Sequence, residues 1–345
     1  MIPRRPSYEG ISLYSPPAVH CRVDLSDNTN LFGMPPAAER AVREFAPSLV
    51  SRYPISYAPE LKQALASYTG FEPSWLTTGC GSDDLIDCAL RAFLEPGERI
   101  AVPDPSFSML AYFAKVNGLQ FVPVRLRPDF DIDVDGLLAT GARLIYVCTP
   151  NNPTSTIVSR AALERLVDAA PGLVLVDEAY AEFSSVTFED LVRSRPNVIV
   201  TRTLSKAFGL AGLRVGYAMG RPELVAEIEK ARGPYKHSGV SERAAIAALT
   251  EGLPWVKARA EESKQIRKRL VEELKAQGLQ PLPCEGNFVM IPLPGAPQVA
   301  ARMRELDVNV RAFKGLTGVG DALRIGCGPW PMMEAALQAL REARR

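Results

Sequence analysis

A lysine closes one of the most apolar runs in this chain. Val198-Ile199-Val200 leads into Thr203-Leu204-Ser205-Lys206-Ala207-Phe208-Gly209, and Arg214 follows eight residues after the lysine. Burying an ammonium without a partner is costly. A lysine in such a place gains a use if its amine condenses with an aldehyde, as Schiff-base lysines do. Read alone, the same string also suits a plain exit from strand to loop. Three other segments set polar groups at the ends of apolar runs. Leu173-Val174-Leu175-Val176 ends in Asp177-Glu178-Ala179-Tyr180, and a carboxylate there needs a partner or a turn to cap. Leu144-Ile145-Tyr146-Val147 ends in Cys148-Thr149-Pro150-Asn151-Asn152-Pro153-Thr154, a rigid turn that presents side-chain amides and could equally be a surface turn. Leu76-Thr77-Thr78 runs into Gly79-Cys80-Gly81-Ser82-Asp83 ahead of a helical period. That loop suits a phosphate at a helix N-terminus, or simply a capping turn with Ser82 or Asp83 as N-cap.

The elements that must position these groups follow from hydrophobic period. Apolar runs at Arg99–Val102, Gln120–Val124, Leu144–Val147, Leu173–Val176 and Val198–Val200 are those of strands buried on both faces of a mostly parallel sheet. Between them, Leu85, Ile86, Ala89, Leu90 and Phe93 share one helical face, as do Leu163, Leu166, Val167 and Ala170. Alternation of this kind predicts an α/β doubly wound domain, and its ligands sit beyond the carboxyl ends of the strands. After about residue 250 the pattern changes. A charged helical stretch near Trp255–Gln277 precedes strand-like Asn287–Ile291, Val308–Arg311 and Leu323–Gly326, then a closing helix from about Pro331. This reads as a smaller α+β domain.

Composition narrows the function class. The 345 residues carry 40 Lys+Arg and 39 Asp+Glu, a net charge of +1, so no field recruits nucleic acid or an acidic membrane. No apolar run approaches the ~20 residues of a membrane span, and Met1–Pro6 lacks the apolar core of a signal peptide. Six scattered cysteines without a Cys-x-x-Cys pair predict reduced thiols in the cytoplasm. With only His20 and His237, a histidine metal site or catalytic triad is poorly supported, and no metal is expected.

Taken together, Pro150-Asn151-Asn152-Pro153-Thr154, Asp177-Glu178-Ala179-Tyr180 and Ser205-Lys206-Ala207-Phe208 with Arg214 resemble the motifs of the class I/II aminotransferases that use pyridoxal 5′-phosphate. Within that group the chain is most similar to the histidinol-phosphate aminotransferases. The resemblance implies a fold-type I α/β architecture: a large domain with a mostly parallel, doubly wound sheet over residues 36–245, a smaller α+β domain over 246–345, and an N-terminal arm, 1–35, packed with the small domain. It implies that Lys206 holds the cofactor as an aldimine, and that its released amine then moves protons in a ping-pong transamination. Asp177 would pair with the ring nitrogen, and Asn152 and Tyr180 with the phenolic oxygen. Ser82, Asp83, Thr203, Ser205 and Arg214 would take the phosphate, with Tyr53 reaching it from the second subunit of a homodimer. Arg324, Arg311, Tyr14 and Asn28 would meet the substrates, an amino donor and an oxo acid.

The chain also departs from that family's pattern. The position that usually carries a ring-stacking tyrosine falls on Leu110, with Phe107 and Tyr112 as substitutes. Ser155 stands where glycine often follows the asparagine turn, Ser26-Asp27-Asn28-Thr29-Asn30 replaces the usual Asn-Glu-Asn-Pro, and Tyr235-Lys236-His237-Ser238 is unusually charged. The alternatives are an aminotransferase for aromatic or specialised-pathway amino acids, and a threonine-phosphate-type decarboxylase of the same fold. A cofactor-sensing regulator would need a DNA-binding domain for which the chain has little room. A dinucleotide-binding domain would need a G-x-G-x-x-G turn that is absent here.

Overall fold

The computed structural model describes residues 5–13 and 20–345. Its centre is a seven-stranded sheet in the order Leu76–Gly79, Gly216–Met219, Val198–Thr203, Leu173–Asp177, Leu144–Cys148, Arg99–Asp104, Gln120–Arg125. Only Gly216–Met219 runs antiparallel to its neighbours. The three middle strands, Val198–Thr203, Leu173–Asp177 and Leu144–Cys148, are buried at every residue, as their unbroken apolar runs require. The expectation of two-sided burial fails for Gln120–Arg125. This strand lies at the sheet edge, is half-exposed, and carries Pro123, which an edge strand tolerates.

Helices cover both faces. Ser82–Phe93 buries Leu85, Ile86, Ala89 and Leu90 along one stripe. Arg160–Ala169 buries Leu163, Leu166 and Val167, and the Ser159 side chain accepts from the Ala162 N–H to cap it. Gly239–Leu249 starts in the same way under Ser238.

A second core lies under a three-stranded antiparallel sheet of Arg311–Leu316, Gly320–Gly326 and Phe288–Pro292, flanked by the helices Ala296–Glu305 and Trp330–Ala343. The chain's beginning joins it. Val23–Asp24 pairs in parallel with Val308–Asn309, and Val23 and Leu25 pack in the same cluster. Residues 245 and 246 fall inside the helix Gly239–Leu249, whose buried face belongs to the large core. The changeover comes within the long helix Leu253–Ala276: Val256 and Ala260 pack in the large core, and Ile266, Leu270 and Leu274 in the small one.

Ser155 stitches the two cores together. Its backbone is left-handed (φ 66°), the conformation a glycine would adopt freely. The serine hydroxyl donates to the Phe288 carbonyl at 3.0 Å and accepts from the Gly286 N–H at 2.9 Å. The side chain thus links the asparagine turn to the first strand of the small sheet.

Candidate active site

Parallel strands that end together bring their last residues together. Asp177, Thr203 and Cys148 end three neighbouring strands, and all line one cavity of about 750 Å3 between the two cores. Asn28, Ser82, Asp83, Asn152, Tyr180, Ser205, Lys206, Arg214, Arg311 and Arg324 share it. Tyr53 does not: it is 83 % exposed on another face, stacked on Tyr235 at 4.7 Å. Tyr14 lies outside the described residues.

At the floor, Asp177 is buried and accepts from the Tyr146 hydroxyl at 2.7 Å, the Ala179 N–H at 3.1 Å and the Thr201 hydroxyl at 3.4 Å. Burial nevertheless pushes its carboxyl up to about 6, against those hydrogen bonds. Such a group calls for a cationic partner from the cavity side. Lys206 is displaced in the opposite direction. Desolvation, then the Arg324 charge, brings its amine down to about 8, while Asp27 and Asp83 oppose the shift. The Lys206 Nζ donates to the Asp27 carbonyl at 3.1 Å and lies 5.8 Å from the Tyr180 ring centre.

One wall is built by Tyr180 and the N-terminal arm. Asn28 has a left-handed backbone (φ 58°), and its Nδ2 donates to the Tyr180 hydroxyl at 3.3 Å. Among the described residues, its buried Oδ1 has no hydrogen-bond partner. Arg324 donates to the Asn152 Oδ1 at 2.7 Å and to the Ser26 carbonyl. Directly across the antiparallel pair from Arg324 stands Arg311. It is exposed and makes no ion pair or hydrogen bond among the described residues.

The other end is an anion cup. The helix Ser82–Phe93 starts at Gly81, and no side chain among the described residues caps its first turn, which leaves its N–H groups and positive dipole end available to an anion. Arg214, held left-handed at φ 53°, lies across Gly81 so closely that a Cβ there would sit 2.5 Å from its Nη2. Thr203 donates to the Ser205 hydroxyl at 2.9 Å, and Arg214 Nη1 reaches that hydroxyl at 3.5 Å.

The stacking position resolves differently from the motif alignment. Leu110 is fully buried in the hydrophobic cluster behind the sheet and does not line the cavity, and Tyr112 points away against Phe113 at 6.0 Å. Of the three candidates, Phe107 is the one that lines the cavity. Several further residues of the site carry no motif in the sequence, Phe313 and Leu316 among them. Tyr146 was concealed inside an apolar run although its hydroxyl is the closest partner of Asp177. Asp24, Asn309 and Met109 line the cavity without any motif to mark them.

The model of the family "aminotransferase class I and II" matches residues 22–340. The chain belongs to that family. It is an aminotransferase dependent on pyridoxal 5′-phosphate. The histidinol-phosphate aminotransferase of Thermoanaerobacter pseudethanolicus is 33 % identical over 98 % of this chain and 97 % of its own. An aromatic amino acid aminotransferase of Nocardia farcinica is 40 % identical over 84 % of each chain. Among solved structures, histidinol-phosphate aminotransferase from Sinorhizobium meliloti in complex with pyridoxal 5′-phosphate superposes with a TM-score of 0.87 at 28 % identity, covering 94 % of this chain and 91 % of that one. The cavity of this aminotransferase fits the cofactor: an uncapped helix start beside an arginine, a desolvated carboxylate and a desolvated amine all line it. No helix among the described residues is long and apolar enough to cross a membrane.

Proposed function

We propose that this aminotransferase exchanges the amino group of histidinol phosphate with 2-oxoglutarate. The observation that carries the reading is the pair Arg311 and Arg324, opposite each other on neighbouring strands and both facing the cavity. A guanidinium is a fork suited to carboxylate or phosphate. Two of them in one pocket suit a substrate with a phosphate tail in one half-reaction and a dicarboxylate in the other. The names of the histidinol-phosphate aminotransferases at 33 % identity support the same choice.

The roles of the side chains follow from their chemistry. The bound cofactor supplies an electron sink for the bond that breaks at the substrate's α-carbon. Asp177 would hold the proton on the ring nitrogen, its carboxylate kept oriented by Tyr146 and Thr201. Asn152 and Tyr180 would donate to the phenolic oxygen, with Tyr180 fixed by Asn28. Thr203, Ser205 and Arg214, with the N–H groups around Ser82 and Asp83, would hold the phosphate. Lys206 would serve, through its free amine, as the base that moves the proton at the substrate's α-carbon. Phe107 would supply the aromatic wall beside the ring. Arg324 orients the α-substituent or the carboxylate, and Arg311 the distal anion.

A second substrate class has its own support. Phe107, Met109, Phe313 and Leu316 give the cavity apolar walls, and a relative named an aromatic amino acid aminotransferase is 40 % identical. One experiment separates the two readings. The holoenzyme is mixed in single turnovers with histidinol phosphate, glutamate, phenylalanine and threonine phosphate, and the cofactor's absorbance is followed while oxo product and carbon dioxide are assayed. Rapid conversion by histidinol phosphate, slowed about 10²-fold or more in Arg311→Ala, is the expected result, since a lost charged contact costs about 2–4 kcal/mol. Conversion by phenylalanine alone, or carbon dioxide from threonine phosphate, overturns it.

The exposed Tyr53, Leu49, Val50 and Ile55 form an apolar face on the large domain, and a second copy of the chain would cover it, bringing Tyr53 to the partner's phosphate. The active form is then a homodimer. Six free cysteines suit a reducing cytoplasm. The division of the chain into two domains falls within Leu253–Ala276.

A further inference from the structure

The phosphate loop has two sides. Arg214 lies against Gly81 and lines the cavity, whereas Arg232 lies against Gly79 and is not among the lining residues. Its side chain is 5 % exposed. It donates to the Thr78 carbonyl, the last turn of strand before the loop. It also pairs with the Asp84 carboxylate at 3.0 Å. The same Asp84 oxygen accepts from the Cys80 N–H at 2.8 Å. One guanidinium therefore ties the residue before Gly79 to the residue after it, through a carboxylate in the first turn of the helix. Gly79 is the residue enclosed by this clamp: a Cβ there would lie 2.8 Å from the Arg232 Nη1 and 3.1 Å from Asp84. The clamp is itself anchored, because Ala231, next to Arg232, accepts from Arg91 on the same helix at 2.6 Å. Lys236 adds a second tie to the strand through the Thr77 hydroxyl at 3.4 Å.

We propose that Arg232 is a positioning residue for the cofactor phosphate, acting through Asp84 to hold the Gly79–Ser82 backbone in its anion-binding shape. This rests on placing the phosphate at that loop. The physical reason is preorganisation. N–H groups bind an oxyanion well only if they already converge, and a glycine-rich loop left to itself samples many other conformations. A cation behind the loop also adds to the positive potential at the helix start. The adjacent Asp83 faces Arg214 instead, at 3.5 Å, so neighbouring carboxylates serve opposite sides of the loop.

The test measures equilibrium binding to apoprotein, by fluorescence quenching, of two ligands: pyridoxal phosphate and pyridoxal, which lacks the phosphate. Variants are Arg232→Met, the milder Asp84→Asn, and Arg214→Ala as the control for the placement. Arg232→Met and Asp84→Asn should each weaken pyridoxal phosphate at least tenfold while leaving pyridoxal within about twofold, since only the phosphate ligand uses the loop. If Arg232→Met does not fold, Asp84→Asn decides alone. Equal weakening of both ligands, or unchanged binding of both in the presence of a clear Arg214→Ala effect, overturns the role of Arg232. If Arg214→Ala itself leaves pyridoxal phosphate binding unchanged, the phosphate lies elsewhere and the placement fails with it.

Discussion

Lys206 shows how a single residue's environment sets its reactivity. Burial first, and the Arg324 charge second, lower its amine to about 8 from an ordinary 10.5. A lowered lysine pKa increases the free-amine fraction at any pH below it, and the free amine is the form that condenses with an aldehyde. At pH 7 about a tenth of the molecules carry the free amine, against a fraction of a thousandth for an unshifted lysine. Capture of pyridoxal phosphate by the apoprotein should therefore accelerate as pH rises and level off above about 8. Stopped-flow absorbance across pH 6–10 checks this, and a midpoint near 10.5 would show that the amine is not desolvated. Arg324→Gln should move the midpoint upward, because it removes the repelling charge.

At the scale of elements, the turn after strand Leu173–Asp177 has to send two adjacent acids in opposite directions. Asp177 faces the cavity, and Glu178 turns to the other side of the sheet. There Arg202, on the neighbouring strand, donates to Glu178 at 2.7 and 2.9 Å and pairs with Glu189. Glu178 also accepts from the Phe188 N–H, and burial pushes its carboxyl up to about 7 despite Arg202. Glu182 nearby is raised for the same first reason, desolvation. One cation thus faces the buried Glu178 and the partly exposed Glu189 behind the site. Removing it leaves them uncompensated, so Arg202→Met should lower unfolding free energy by about 3–5 kcal/mol. Arg202→Met with Glu178→Gln should recover part of that loss. Urea melts of both variants measure it, and an additive double variant would contradict the coupling.

For the whole molecule, the exposed tyrosine makes the sharpest claim. Tyr53 belongs to no cavity of its own subunit's active site, yet it stands among exposed apolar neighbours. If it completes the partner's site, two variants crippled in different subunits should complement each other. Mixed Lys206→Ala and Tyr53→Ala chains form hybrid dimers in which one of two sites is wholly intact, so random reassortment should restore about a quarter of the native activity. No recovery on mixing, with dimers seen by sedimentation, would place Tyr53 outside the shared site.

The sequence by itself determined the chemistry-bearing strand ends. Asn152, Asp177 and Lys206 each follow an apolar run, and a parallel sheet must bring such ends to one edge whatever the loops do. The smaller domain, two of its three strands and its closing helix were legible for the same reason, as local hydrophobic period; the expected strand Val308–Arg311 is instead divided between Val308–Asn309, which pairs with Val23–Asp24, and the sheet strand Arg311–Leu316. What tertiary structure alone decided was whatever depended on direction or on distant partners. Leu110 and Phe107 are three positions apart on a short stretch, and only packing against the sheet sends the leucine into the core and the phenylalanine to the cavity. Tyr146 reads as one more apolar strand residue until Asp177, on the neighbouring strand, meets its hydroxyl. The long helix 253–276 keeps one amphipathic pattern while its buried face passes from one core to the other, a change that period alone does not show. Arg232 belongs to no motif at all. Its meaning comes from a carbonyl and a carboxylate roughly 150 residues away in the chain, and only the fold brings them within reach.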